Sequence, residues 1–412
     1  MSSSQRERRF QGWIAWFAGA CFYFYQFILR VSPSVMAPEL MRDFKIDAYE
    51  LGWFSGLFYF SYSLLQIPIG IALDLLGPRR VLLAASGVAL GGTLCFAHAD
   101  SMWQASVGRL LIGAGSACGF LGTMKIASSW FRPTIFAILV GITSFIGVIG
   151  AMVGSAPLAV LVTHLGWRES MLWLLALGGL VLLLLAAAVR DNPKDLHERS
   201  PSGFWNVLTH GQVWLIGLFG LAVYSPITVL ADLWGTQYLS VQFAIPAALA
   251  ASSVSLIYIG FGLGAFAVGW VSHVMDDLRR FFLTVALGLS LVLCAIIWLP
   301  HAHLGLVTLL MLLLGLIGSG ECLIFPASCR FAPIAYSGTV TGFVNMFTML
   351  GGMVLQPLVG FVMRLSWSGT MEKGAPLYSA HDYQLGLSAV LGLLILSAAI
   401  TFIMRRPPSI RV

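Results

Sequence analysis

Charge is what this 412-residue chain has least of: Asp, Glu, Lys and Arg together make up 10% of it, against 58% hydrophobic residues. A soluble domain carries roughly 25% charged residues to keep its surface hydrated, so a soluble globule of this size is excluded. The six cysteines (Cys21, Cys95, Cys118, Cys294, Cys322, Cys329) form no CxxC pair and no secreted disulfide framework. All lie in apolar stretches, where small core-filling side chains are expected. No GxxxxGK[ST] loop occurs, which argues against ATP drive. No cluster of His and acids and no nucleophile with its base is evident, so an enzyme is not expected. The eight histidines lie mainly at the ends of apolar stretches or in loops, which leaves no metal site. The basic N-terminus runs into a stretch too long for a signal-peptide h-region, with no small-residue cleavage site after it. The net charge of +6 sits in short clusters between apolar stretches rather than on one face, so nucleic acid is not an expected partner.

What the chain does have is long apolar stretches, and about 20 such residues span a bilayer as a helix. Twelve spans are predicted, over 12–37, 51–73, 81–99, 103–130, 135–164, 169–189, 212–239, 248–273, 281–299, 304–331, 339–365 and 383–404. The longest polar segment, 190–210, divides them into halves of six, 1–189 and 211–412. The expected fold is therefore an all-α membrane protein: twelve transmembrane helices in two pseudo-symmetric six-helix bundles joined by a cytoplasmic linker. Lys and Arg in short loops set orientation. With the N-terminus inside, fifteen (Arg6, Arg8, Arg9, Arg79, Arg80, Arg132, Arg190, Lys194, Arg199, Arg279, Arg280, Arg330, Arg405, Arg406, Arg411) face the cytoplasm and five (Arg42, Lys45, Arg168, Arg364, Lys373) face away. Both termini are expected in the cytoplasm.

An internal repeat supports two related halves. Gly70-Ile-Ala-Leu-Asp74-Leu-Leu-Gly77-Pro-Arg79-Arg80 follows span 2, and Gly269-Trp-Val-Ser-His273-Val-Met-Asp276-Asp277-Leu-Arg279-Arg280 follows span 8. Gly141 to Pro157 in span 5 is similarly matched by Gly342 to Pro357 in span 11.

The first of these loops, GxxxDxxGxRR, resembles the signature of the major facilitator superfamily. So do Arg109 with Gly113 and Gly115 in span 4, the series Gly141, Gly147, Gly150, Gly154 and Pro157 in span 5, and Gly166-Trp167-Arg168. The strings YQFILRVSPSVM, QIPIGIALDLLGPRR and GSACGFLGTMKIASSWF look like bacterial nutrient transporters of the phagosomal transporter group. That group is associated with amino acid and nucleoside uptake; relatives of similar appearance handle carboxylate siderophores or organic anions. The resemblance implies that Gly70, Asp74, Gly77, Arg79 and Arg80 form a conformational latch, with His273 at the Asp position weakening its counterpart; simple anchoring of topology is the alternative. It also implies a part in proton transfer for Arg109, against a structural bond to backbone or a neighbouring span.

Ionisable side chains at membrane depth are costly and therefore candidates for function. In span 1, Tyr23, Gln26, Arg30 and Ser34 recur at helical spacing and form one polar stripe. Such a stripe is expected to face a cavity rather than lipid. Arg30 offers a planar fork suited to a carboxylate or phosphate, or to an acid from another span. Tyr59, Tyr62, Ser63 and Gln66 form a second stripe, as cavity lining or interhelical contacts. Lys125 is a candidate for substrate or an ion pair, and Tyr224 and Asn345 for an opposing wall. Glu321, between glycines in span 10, and Asp232, in span 7, are candidate proton carriers, because burial and nearby cations move a carboxylate's pKa in opposite directions. A structural ion pair is the alternative for Glu321, and a cap on the outer end of the cavity for Asp232.

The expected function is secondary active transport of a small polar, carboxylate-bearing solute (an amino acid, an organic anion or a carboxylate siderophore) by proton-coupled alternating access. A nucleoside carrier is the first alternative and a drug or metabolite exporter a weaker one. A non-transporting membrane receptor or scaffold is the reading from another class. No cofactor is called for; the expected partners are the small-molecule substrate, protons and the lipid bilayer, and the chain is expected to act as a monomer.

Overall fold

The structure, a computed structural model, describes residues 3–190, 210–274, 277–299, 303–331, 337–372 and 374–405. The linker expected over 190–210 falls outside them except for its two end residues, and so does the side chain of His273. Twelve helices among the described residues are long and apolar enough to cross a membrane, and each corresponds to a predicted span.

Span 1 departs from its predicted extent. Helix α1 (Ser3–Val31) stops and α2 (Pro33–Phe44) begins two residues later. Pro33 has no N–H to give to the helix, and its ring disfavours helical backbone at Ser32. The fixed φ of proline suits it to the first turn of the new helix. Span 2 is α3 (Ala48–Leu76) and span 3 is α4 (Pro78–Ala97). The turn between them is Gly77 at φ +82°, a conformation that a side chain would strain.

Span 4 is broken at Ala117 into α5 (Met102–Ser116) and α6 (Cys118–Trp130). Span 5 is broken ahead of Pro157 into α7 (Pro133–Val153) and α8 (Ala156–Leu165), and span 6 is α9 (Trp167–Ala188). Span 7 runs from α10 (Gly211–Pro226) through a π-helical segment, Ile227–Trp234, into α11 (Gly235–Phe243). Next come α12 (Ala247–Val274) and α13 (Leu278–Trp298). Span 10 tightens to 3₁₀ over Ser319–Leu323, between α14 (Leu304–Gly318) and α15 (Ile324–Cys329). The last spans are α16 (Ser337–Ser366) and α17 (Ala380–Ile403), separated by a two-stranded hairpin, β1 (Met371–Glu372) and β2 (Ala375–Pro376). The π-helical segment of span 7 and the 3₁₀ turn of span 10 carry Asp232 and Glu321. Such irregular turns often mark functional positions.

Packing divides the chain into two compact units. The first holds Met1–Ser32 and Phe60–Ser200; the second holds Pro33–Tyr59 and Pro201–Val412. In the first, α7 lies close against α1: a Cβ on Gly147 would sit 2.6 Å from the Tyr23 ring, and Gly154 faces the Ile28 backbone. Small residues let helices approach in this way where lipid offers no hydrophobic drive. The second unit takes in 33–59 because α3 and α16 cross on glycines. A Cβ on Gly52 would meet the Gln356 carbonyl at 2.5 Å, one on Gly352 the Tyr59 ring at 2.5 Å, and Gly360 lies on the Ala48 carbonyl. Beside the crossing, Arg364 pairs with Asp47 at 3.2 Å and the Ala48 N–H donates to the Tyr378 hydroxyl at 3.1 Å. Burial raises the pKa of that hydroxyl above the ordinary tyrosine value, so it stays neutral.

Candidate functional site

Among the described residues, each unit holds a buried polar cluster. In the first, Gln26 and Arg30 stand one turn apart on α1 and are 3% and 5% exposed. The Tyr62 hydroxyl of α3 is within electrostatic reach of Arg30 and lies beside Gln66, which is 2% exposed. The Arg30 guanidinium also stacks over Phe27 at 5.1 Å. The Gln26 Oε1 has no hydrogen-bond donor in the protein, and neither atom of the Gln66 amide is in a hydrogen bond of proper geometry. Gly119 of α6 leaves room for the Gln26 amide: a Cβ there would lie 2.5 Å from its Oε1. Buried polar atoms are nearly always paired, so the unpaired Gln26 Oε1 singles this cluster out as a candidate site. Tyr23, half-buried at the same helix face, packs its ring on Phe27 and Phe120.

Arg109 is fully buried and donates to the Leu29 carbonyl at 2.8 Å and the Arg30 carbonyl at 3.4 Å. These are the last carbonyls of α1, which have no partner within the helix. Arg109 therefore holds the end of α1 at the backbone of Leu29 and Arg30.

In the second unit, Asp232 is fully buried on the π-helical segment. It accepts hydrogen bonds from the hydroxyls of Tyr59 on α3 and Tyr258 on α12. Nearby, Gln356 donates to the Thr228 carbonyl at 2.6 Å, and the Trp234 indole donates to the Gln356 carbonyl at 3.1 Å. Gln237 donates to the Ser34 carbonyl at 3.1 Å, tying α2 to the same span. Glu321 is 4% exposed on its 3₁₀ turn. Tyr224 packs edge-on to Phe261, and Asn345 is half-buried on α16.

The family model of the Major Facilitator Superfamily matches residues 15–356. The chain belongs to the Major Facilitator Superfamily. It is similar to the membrane sensor protein UhpC of Salmonella typhimurium, with 24% identity over 93% of this chain and 90% of that one. It is also similar to the hexuronate transporter of Bacillus subtilis, with 22% identity over 81% of this chain and 84% of that one. Among solved structures, a bacterial homologue of the human lysosomal transporter Spinster, inward-facing and unoccupied, superimposes with a TM-score of 0.80 at 16% identity, covering 96% of this chain and 97% of that one. The superfamily accounts for the twelve-helix architecture and makes the chain a multi-pass membrane transporter of a small solute rather than an enzyme.

The superfamily's signature loop is engaged within the first unit. Asp74 pairs with Lys125 of α6 at 2.6 Å, both partly exposed. Arg79 donates to the Ala186 and Val189 carbonyls at 3.1 and 3.0 Å, capping the end of α9, while Arg80 is exposed. Gly70 packs loosely toward Leu121. Of the sequence-derived substrate candidates, Gln26, Arg30, Tyr62 and Gln66 are brought together. Tyr59 is engaged by Asp232 and Lys125 by Asp74, each in a different contact. Tyr258, Gln237 and Gln356 escaped the sequence reading. Each is a polar side chain inside an apolar span, the same signal that singled out Gln26 and Gln66.

Proposed function

We propose that this superfamily member is a secondary active transporter of a small polar, carboxylate-bearing solute, moved across the bacterial inner membrane by proton-coupled alternating access. The observation that carries the reading is the Arg30 cluster, where Gln26 and Gln66 are buried and the Gln26 Oε1 has no hydrogen-bond donor in the protein. A guanidinium fork beside buried neutral amides is chemistry for an anion with further polar groups. The six-helix halves 1–189 and 211–412 serve as the two transport bundles, both termini lie in the cytoplasm, and the monomer is the working unit. Asp232 and Glu321, both buried, are the proton-carrying candidates. In this reading Arg109 positions Arg30, and Asp74, Gly77, Arg79 and Arg80 serve as the latch.

The test is substrate binding and flux in reconstituted protein. Arg30→Ala should abolish binding of an anionic substrate while the protein folds normally, and Arg30→Lys should keep only part of it, since lysine retains charge but loses the fork. Wild-type transport rates in folded Arg30→Ala would sink the assignment. The likeness to a membrane sensor over 93% of the chain favours a second reading, a receptor that binds without moving its ligand. Saturable binding with no flux under an imposed proton gradient would select it.

A further inference from the structure

We infer that the second unit carries a binding site for a small primary ammonium ion. The site is a cavity of about 250 Å³ walled by α2, the end of α11, the β1–β2 hairpin and the start of α17. Each described residue of its wall belongs to that unit and none to the Arg30 cluster, so the inference stands apart from the carboxylate reading. Pockets for drug-sized ligands run from roughly 300 to 1,000 Å³, so this one suits a smaller molecule. Tyr378 and Tyr383, 2% and 3% exposed, are its most deeply buried walls, their rings edge to face at 6.4 Å. Met41, Val241, Pro376 and Leu377 supply apolar surface for a hydrocarbon body.

The polar groups of the wall ask for a donor. Gln237 is 6% exposed; its amide nitrogen donates to the Ser34 carbonyl at 3.1 Å, and its Oε1 accepts from no described group. The Tyr383 hydroxyl likewise has no hydrogen-bond partner among the described residues, whereas that of Tyr378 already accepts from the Ala48 N–H. Glu372 is exposed on β1 with no ion-pair partner among the described residues, and Glu39 brings a second carboxylate to the wall. The one described cation in the wall, Arg42, pairs with Asp43 at 3.0 Å. An amide oxygen and an ionised carboxylate can only accept. A primary ammonium brings N–H donors and a positive charge together, and the two tyrosine rings add the attraction of an aromatic face for a cation. A quaternary ammonium has the charge but no N–H for Gln237, an alcohol has an O–H but no charge, and a carboxylate would meet carboxylates. Simple primary amines are protonated at neutral pH, as the lysine side chain is.

The test measures apparent Kd on the purified full-length chain from ligand-induced shifts in Tm, with n-butylammonium, n-butanol and butyltrimethylammonium as probes at neutral pH. Butylammonium should bind about tenfold more tightly than either of the others, the yield of one hydrogen bond from a charged donor. Gln237→Leu should weaken butylammonium about tenfold and leave butanol unchanged. Glu372→Gln should weaken it only about threefold, because that carboxylate is exposed. Val241→Trp, which sets a larger side chain in the wall, should remove binding of all three probes. Positions 241 and 372 are both exposed, so these two variants serve if Gln237→Leu, deprived of its bond to Ser34, does not fold. Equal Kd for butylammonium and butanol, a quaternary probe as tight as the primary one, undiminished binding in both Val241→Trp and Glu372→Gln, or no probe bound by the wild type would each overturn the inference.

Discussion

Removing one hydroxyl, in Tyr59→Phe, should loosen the N-terminal half of α3 from the rest of the second unit. The Tyr59 side chain is fully buried and its hydroxyl donates to a carboxylate, Asp232, that is itself 0% exposed. A hydrogen bond to a charged group contributes about 1.5–3 kcal/mol, and here its loss also leaves a buried carboxylate with Tyr258 as its remaining tyrosine donor. Local opening of 48–59 is the event this bond opposes. Lowering the opening free energy by that amount raises the open population about tenfold to more than a hundredfold.

Ser55, buried on the same stretch of α3, is a reporter. A Ser55→Cys variant, made after the six native cysteines are replaced, can be labelled with a membrane-impermeant thiol reagent. Its labelling rate follows the open population when closing outpaces reaction. Tyr59→Phe should accelerate labelling by the factor above. In an Asp232→Asn background the same change should have a smaller effect, because the bond it removes is then neutral, worth about 1 kcal/mol. Tyr25→Phe, whose hydroxyl faces Thr93 at 3.4 Å in the first unit, should leave the rate unchanged. Unchanged labelling in Tyr59→Phe, or the same acceleration with and without Asp232, would refute the reasoning, since independent sites simply add.

Three further outcomes are expected. Gly52→Ala should destabilise the α3–α16 crossing by roughly 1–3 kcal/mol, because its Cβ would meet backbone at 2.5 Å, whereas Gly91→Ala, with nothing within 4 Å, should be neutral or raise Tm through helix propensity. Lys125→Ala should leave the Kd for a carboxylate substrate unchanged and cost under about 1 kcal/mol in stability, as expected of a partly exposed pair; a tenfold loss of affinity would return Lys125 to the substrate site. Glu321→Gln should impair proton-driven accumulation more than counterflow in proteoliposomes, and equal loss of both would mark Glu321 as structural or substrate-binding.

The spans were legible because one quantity, sustained hydropathy, decides them, and the breaks were partly legible because proline acts locally. Pro33 ends span 1 earlier than apolar composition implied, through a constraint on Ser32 that a hydropathy window does not register. The site was legible only as far as helical spacing reaches. A stripe such as Tyr59, Tyr62, Ser63 and Gln66 says that polar groups occur along α3, not what each will meet. Tyr59 meets Asp232, 173 residues away, while Tyr62, less than one turn further on, meets the Arg30 cluster. The division of α3 between two units, at Tyr59 and Phe60, is what separates them. A signal for that division was present in the spacing of Gly52 and Gly56, small residues four apart that allow close backbone approach. It lacked only its partner, for Gly352 and Gly360 lie some three hundred residues on, and their match to α3 is a property of packing rather than of either segment alone. Three residues beyond this glycine pair, Tyr59 carries the same crossing to the buried carboxylate, so of cavity lining and interhelical contact, the two readings of its stripe, Tyr59 takes the second and helps hold 33–59 in the second unit.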